Sequence, residues 1–392
     1  MKRKLLGVSV LSLLLSFWFA ASAVAIPVEV GNAPENDLAL TLKAISGAKR
    51  NLFINIYEFT SDPIADAIEE RIQAGVNVEI LAENQPVGGL SKEGRAVQAR
   101  LVAAMKQASG NDHFYVMSSH ATLAKRRFRF DHGKYAVVDN EAVLIGSENY
   151  SPSGHPAPGT KGNRGWEVIV RDRNLAQDFS GLFSSDTSLA HGDVMDLAEA
   201  KSAAMKMLLP EEKTFSPEPG LVATAVQKIT APENSETALL ALLNSARLSI
   251  DIEQMMFSSD WGDRSSSLFD AVVAAAKRGV KVRVLLNDES VFNHSKEPTK
   301  SKNQPTVDAL NALGGQGYRV EARIANLKAM GVDYIHNKGL LVDGTKTLVS
   351  SINWDENSVL SNRETAVLIT GDSVCQYFSA LFQRDWAASG GI

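Results

Sequence analysis

The chain has 392 residues, 44% of them hydrophobic and 22% charged, which excludes a disordered or fibrous protein and leaves room for two domains or two similar halves. A net charge of −5 argues against sequence-independent nucleic-acid binding as the main task, although local patches outweigh a total. The one cysteine, Cys375, leaves no internal disulfide, and its apolar setting in Val374-Cys375-Gln376-Tyr377-Phe378 reads as buried filler.

Taken in chain order, Lys2, Arg3 and Lys4 precede an uncharged run from Leu5 to Ala25 that ends Ala21-Ser22-Ala23-Val24-Ala25. A basic start, an apolar middle and small-x-small sites predict a signal peptide over 1–25 and a secreted or periplasmic protein. Left uncleaved, the segment would be a membrane anchor. Its removal takes away three positive charges and leaves −8.

A first half is expected over 26–190. Asn51-Leu52-Phe53-Ile54-Asn55-Ile56 alternates as a strand does, Ile64-Ala65-Asp66-Ala67-Ile68 follows as a helix, and Gly75 leads into a second strand, Val76 to Leu81. The region 191–232, with Pro210, Pro217, Pro219 and Pro232, reads as a linker. A second half over 233–392 repeats the first: Arg247 to Ile252, then Leu268 to Val273, then Gly279 to Leu285. Gly75 precedes His132 by 57 residues, as Gly279 precedes His336. That shared register marks a duplication, so the halves should fold alike and pack about a pseudo-twofold axis.

Within the repeat, His132-Gly133-Lys134 runs through Ala136-Val137-Val138 to Asp139, and Gly146-Ser147-Glu148-Asn149 follows. The second copy reads His336-Asn337-Lys338 through Leu340-Leu341-Val342 to Asp343, then Ser350-Ser351-Ile352-Asn353. A His and a Lys two apart on a strand share a face, so each motif presents an imidazole beside an ammonium. One such pair signifies little; two at identical offsets inside a duplication signify a site.

The pattern resembles the phospholipase D superfamily, with its His-x-Lys-x4-Asp and Gly-Ser-x-Asn signature, over nearly the whole mature chain. Ser350 departs from the usual glycine. The resemblance implies an α/β fold of two similar halves, each a mixed β-sheet flanked by helices, with one site between them in a single chain, hence a monomer. It implies a phosphodiesterase or phosphatidyltransferase working through a phosphohistidine, with His132 as nucleophile and His336 as acid, without cofactor or metal. Lys134 and Lys338 would hold the phosphate oxygens as point charges, with Ser147, Asn149, Ser351 and Asn353 adding hydrogen bonds. Acidic residues after the motifs would orient the histidine of the opposite half: Glu167 for His336 and Glu364 for His132. Asp139 and Asp343 would brace the strand and loop.

Two substrate classes stay open. Export and the acidic mature chain favour phospholipid, by hydrolysis or by head-group exchange. Lys125-Arg126-Arg127-Phe128-Arg129-Phe130 suits a nucleic-acid backbone or an anionic membrane, and Trp354 offers a ring for base stacking, which favours a metal-independent nuclease. Met255-Met256-Phe257 and Trp261 would meet acyl chains if exposed and are core if buried. The Gly/Pro/Ser-rich loop from Tyr150 to Asn163 reads as a rim or lid. The seven histidines, His113, His120, His132, His155, His191, His294 and His336, show no paired ligand spacing.

Overall fold

The computed structural model describes residues 25–108, 110–118, 126–198, 220–292 and 301–390. Residues 1–24 of the expected signal peptide and half of the proline-rich linker lie outside them, as do Lys125, His120 and His294. Among the described residues no helix is long and apolar enough to cross a membrane.

The first half runs β1 (Ile26–Ala33), α1 (Asp37–Gly47), β2 (Asn51–Ile56), α2 (Asp62–Gln73), β3 (Asn77–Glu83), α3 (Lys92–Gln107), β4 (His113–Met117), β5 (Lys134–Val138), β6 (Ala142–Gly146), β7 (Gly165–Val170), α4 (Arg173–Asp186) and β8 (Val194–Asp196). After β9 (Leu221–Ala223), the second half runs β10 (Ala225–Ala231), α5 (Ser235–Ser245), β11 (Ser249–Gln254), a small hairpin of β12 (Asp260–Trp261) and β13 (Arg264–Ser265), α6 (Ser267–Lys277), β14 (Lys281–Leu286), α7 (Gln304–Gly315), β15 (Val320–Ile324), α8 (Leu327–Met330), β16 (Lys338–Val342), β17 (Lys346–Ser350), α9 (Glu356–Leu360), β18 (Glu364–Thr370) and α10 (Asp372–Ala388).

The strands form a nine-stranded sheet, β8-β4-β3-β2-β5-β6-β7-β1-β9, and a seven-stranded sheet, β10-β18-β17-β16-β11-β14-β15. Both are mixed in the same way. Helical crossovers make β2-β3-β4 and β11-β14-β15 parallel, while β5-β6-β7 and β16-β17-β18 are antiparallel, with a tight turn inside each first pair and a longer connection before β7 and β18. The expected two-half α/β architecture is therefore present. The linker expectation needs correction: β8 closes the first sheet, β9 pairs with β1, and β10 pairs with β18, so the second half begins before residue 233.

Each half has an outer core under its crossover helices, and a third core joins the halves. Val168 and Val170 of β7, Val367 and Ile369 of β18, Phe179 and Phe183 of α4, and Phe378 and Phe382 of α10 are all buried in that shared layer. Cys375 is buried there too, its thiol pushed up to about 11 by burial, as filler should be. Two buried ion pairs cross between the halves in mirrored fashion: Arg164 to Asp385 of α10 and Arg363 to Asp186 of α4, both at 2.7 Å. Each arginine also meets the acidic residue after its own half's first strand, Glu35 at 2.7 Å and Glu233 at 2.6 Å. Such pairs fix how the halves dock, since a lone buried guanidinium costs several kcal/mol, about 3–5.

Candidate active site

Lys134 opens β5 opposite Ile56, and Lys338 opens β16 opposite Gln254. Both motifs therefore sit at the carboxyl ends of the parallel strands β2 and β11, where open α/β sheets hold ligands. The histidine segments are clamped across the interface by backbone pairs. His132 N–H donates to Arg363 O while Arg363 N–H donates to Phe130 O, both at 2.8 Å. In the mirror position His336 N–H donates to Arg164 O at 2.9 Å, and Arg164 N–H to Tyr334 O at 2.8 Å. Each half thus carries its histidine to the other half's acidic strand.

Glu364, with no exposed surface, meets His132 Nδ1 at 2.8 Å. Its carboxylate also accepts from Ser351 Oγ at 2.6 Å and from Asn362 Nδ2 at 3.0 Å. His336 Nδ1 meets Glu148 Oε2 at 3.1 Å, and that oxygen also accepts from Asn163 Nδ2 at 2.9 Å. The expectation that Glu167 would orient His336 is corrected: the carboxylate there is Glu148. The register gives the reason. Glu364 lies opposite Ala231, whereas the residue opposite the matching Ala33 is Gly165, two positions before Glu167. A Cβ on Gly165 would sit 2.2 Å from Glu148 Oε1, so the missing side chain makes the space that Glu148 fills. Glu167 accepts instead from Thr41 Oγ1 at 2.8 Å and lies 3.4 Å from His155 Nε2.

The serines also need correction. Ser147 and Ser351 are fully buried; Ser351 Oγ donates to Glu364, and Ser147 Oγ accepts from Trp166 N–H at 3.2 Å and lies 3.5 Å from Glu148. They hold carboxylates rather than face a substrate. Asn149 and Asn353 remain open to one, since neither side chain makes a hydrogen bond among the described residues. Asp139 and Asp343 lie at the far turns of their strands and accept backbone N–H groups from Lys49, Arg50 and Asn51, and from Arg247, Leu248 and Ser249.

Lys134 and Lys338 are buried, and their ammonium groups donate to the carbonyls of His132 at 3.0 Å and His336 at 2.5 Å. Tyr57 covers the first pair, its ring 4.6 Å from the His132 ring and 5.3 Å from Lys134 Nζ. Met255, the matching residue after β11, places its sulfur 3.7 Å from Lys338 Nζ.

Burial dominates the electrostatics. It pushes the imidazoles of His132 and His336 down to about 4, with the neighbouring ammonium groups adding to the effect and Glu364 and Glu148 opposing it. It lowers Lys134 to about 8 and Lys338 to about 7; Lys134 repels Lys338 further. Burial alone would raise both glutamates, but the facing imidazole, with help from ammonium charge, holds each below the ordinary range. At neutral pH the site therefore holds two neutral imidazoles, each donating Nδ1–H to a carboxylate and leaving Nε2 a lone pair. Among the described residues no group of three or more His, Cys, Asp or Glu is arranged to hold a metal ion.

The peripheral expectations fare unevenly. Arg127 is tied to Asp193 at 2.9 Å, and Phe128 is buried beneath Arg363, so this part of the basic cluster is structural. Trp354 is fully buried and offers no stacking surface. Phe257 and Trp261 are core, while Met255 and Met256 are half-buried at the site's edge. The loop from Tyr150 to Asn163 is pinned at its base by buried His155, and its tip over 157–161 is exposed.

Two segments, residues 41–187 and 239–386, match the family model described as "Cardiolipin synthase, PLD-like domain". The chain is 24% identical over 366 residues to "Probable cardiolipin synthase YwiE" of Bacillus subtilis, covering 88% of this chain and 63% of that protein. It is 30% identical over 156 residues to "Mitochondrial cardiolipin hydrolase" of Xenopus tropicalis, covering 39% of this chain and 62% of that one. The chain thus spans under two thirds of these relatives' lengths. Phosphatidylserine synthase of Haemophilus influenzae Rd KW20 shares the fold at a TM-score of 0.67 and 14% identity, over 93% of this chain and 87% of that one.

Proposed function

The chain belongs to the cardiolipin synthase, PLD-like domain family, and from that premise we propose that it moves the phosphatidyl group of a phospholipid to water or an alcohol through a phosphohistidine. The observation that carries this reading is the pair of imidazole–carboxylate contacts made across one interface beside two ammonium groups. His132 Nε2 attacks phosphorus as the bond to the leaving alkoxide breaks, and His336 gives that oxygen its proton. Water or a second alcohol then loses its proton to His336 as its oxygen displaces the His132 nitrogen, which restores both side chains.

A neutral His336 must gain a proton before it can act as the acid. The phosphodiester anion supplies the missing negative charge, so substrate binding raises the affinity of His336 for a proton. Lys134 and Lys338 neutralise the non-bridging oxygens, and Asn149 and Asn353 have amides to spare for them. The lipid reading draws on relatives named as a cardiolipin synthase and a cardiolipin hydrolase, and on the loss of two features that had favoured a nuclease, Trp354 as a stacking ring and Arg127 as a backbone grip. The reading includes export directed by residues 1–25.

A phosphohistidine can be intercepted by any alcohol. Phospholipid vesicles with a few per cent ethanol should therefore yield phosphatidylethanol beside phosphatidic acid. Metal-independent cleavage of plasmid or oligonucleotide, lost in His132→Asn and without lipid products, would overturn the lipid assignment.

A further inference from the structure

Behind Glu148 lies a polar cluster that the chemistry above does not use. Asp37, Thr41, His155 and Glu167 are all buried. His155 Nδ1 donates to the backbone carbonyl of Asn149 at 2.9 Å, and its Nε2 faces Thr41 Oγ1 at 3.2 Å, Glu167 Oε1 at 3.4 Å and Asp37 Oδ2 at 4.0 Å. Thr41 Oγ1 donates to Glu167. The Tyr150 ring meets the His155 ring edge-on at 5.4 Å. The next residue back, Gly154, comes so near Glu148 that a Cβ there would lie 3.0 Å from Glu148 Oε2.

Among the described residues the second half has no such cluster at the matching positions. In the strand register Glu167 corresponds to Ala366, since they pair with Gly31 and Ile229. His155 corresponds by its backbone bonding to Val359, whose N–H donates to Asp355 O as that of His155 donates to Ser151 O. Four buried polar residues on one side alone are costly to keep unless they do something there. We propose that His155, held by Glu167, Thr41 and Asp37, is a positioning residue that fixes Glu148 and Asn149 and sets the proton affinity of His336 without touching that of His132.

Charge supports the geometry. Burial alone would depress the His155 imidazole, but the hydrogen bond and charge of Glu167, with Asp37 beside it, hold it up at about 9. Asp37 is raised by burial to about 7, with Glu167 and Glu148 adding and His155 opposing. Glu148 faces His336 together with Lys338 and Lys134, and the His155 cluster lies behind it, separated by Gly154. On the His132 side the charged groups acting with Glu364 are the imidazole, Lys134, Lys338 and the acidic Asp355, and the position matching His155 is the apolar Val359.

The inference rests on the proposed chemistry only in giving His336 a proton to carry, and its test needs no turnover. In the full chain labelled with nitrogen-15 histidine, the titrations of His132 and His336 are followed by NMR. His155→Gln removes the cation and should raise the His336 pKa by about half a unit or more, leaving His132 in place. His155→Lys, which returns a cation, should bring His336 back. Asp37→Asn, nearly isosteric, removes an anion and should move His336 downward; it carries the test if His155→Gln fails to fold. An unmoved His336, or equal shifts in both histidines, would overturn the proposal.

Discussion

In the second half Glu364 opens β18 and turns its carboxylate to His132; in the first half the same register position is Gly165, and the carboxylate comes from Glu148 on the neighbouring turn. The residue matching Glu148 is Ile352, which is fully buried in the outer core of the second half. Glycine against glutamate at one place is thus answered by glutamate against isoleucine at another. What the two halves share is where a carboxylate oxygen must sit relative to an imidazole, about 3 Å from Nδ1, and not which residue delivers it. Asn163 and Asn362 donate to the two carboxylates alike, and Ser147 and Ser351 lie against them, so the support is retained even where the carboxylate has moved.

The severest way to break the comparison is to remove one histidine. His132→Asn and His336→Asn should each lower turnover by at least about a thousandfold while leaving the thermal transition unchanged, because neither imidazole can do the other's step. Retention of a tenth of the wild-type rate in either variant would show that the two are interchangeable.

The carboxylates offer a sharper test. Glu148→Ile should cost about a hundredfold or more in kcat, by analogy with the loss when a histidine's orienting carboxylate is removed. Adding Gly165→Glu to it rebuilds the second-half arrangement inside the first and should recover at least about tenfold. Gly165→Glu alone, with Glu148 still in place, should destabilise the protein, since its Cβ would meet Glu148 Oε1 at 2.2 Å. No recovery in the double variant would mean that the halves are not equivalent at this position.

The pH profile tests whether the halves titrate alike. With both imidazoles near 4, one needed neutral and the other protonated, kcat/KM on a soluble phosphodiester should peak near pH 4 to 5, decline gradually above it, and fall more steeply above about pH 7 to 8 as Lys338, at about 7, and Lys134, at about 8, lose their charge. The alkaline fall belongs to loss of ammonium charge, first on the second half's lysine. An acid limb near the ordinary histidine value of about 6.5 would contradict it.

Much of this was legible in the sequence: the β-α-β units and both His-x-Lys pairs follow from a duplication that keeps register, and the Glu364 contact with His132 was implied by the family resemblance. Glu167 misled because two carboxylates in similar strands suggest one role, and matching Glu167 with Glu364 ignores that Asn163-Arg164-Gly165 aligns with Asn362-Arg363-Glu364. The signal for Glu148 was present as a carboxylate inside Gly-Ser-x-Asn where the other copy has Ile352. The Ala33-Pro34-Glu35-Asn36 and Ala231-Pro232-Glu233-Asn234 repeat would also have placed the start of each half, and with it the strand lost in the supposed linker. Burial of Trp354 and pairing of Arg127 could not be read locally, since each depends on partners far along the chain.

The smallest expected effect lies at the ends of the motif strands farthest from the imidazoles. Asp139 and Asp343 both take left-handed backbone, φ 55° and 53°, and each carboxylate caps three successive backbone N–H groups. Asparagine tolerates that conformation, so Asp139→Asn and Asp343→Asn remove charge with little added strain. Each should cost about 1–2 kcal/mol at neutral pH in a urea titration and leave kcat unchanged. The folded pKa of Asp343 is depressed: burial works against this, but the N–H groups of Ser249, Leu248 and Arg247 outweigh it. Its stabilisation is therefore fully present above the unfolded value of 3.8 and disappears as pH falls through the lower folded value. The gap between wild type and Asp343→Asn should accordingly be constant from neutral pH down to about 5 and close below 3.8. A gap that persists in acid would assign the cost to lost geometry rather than lost charge, and a fall in kcat would connect these turns to the site itself.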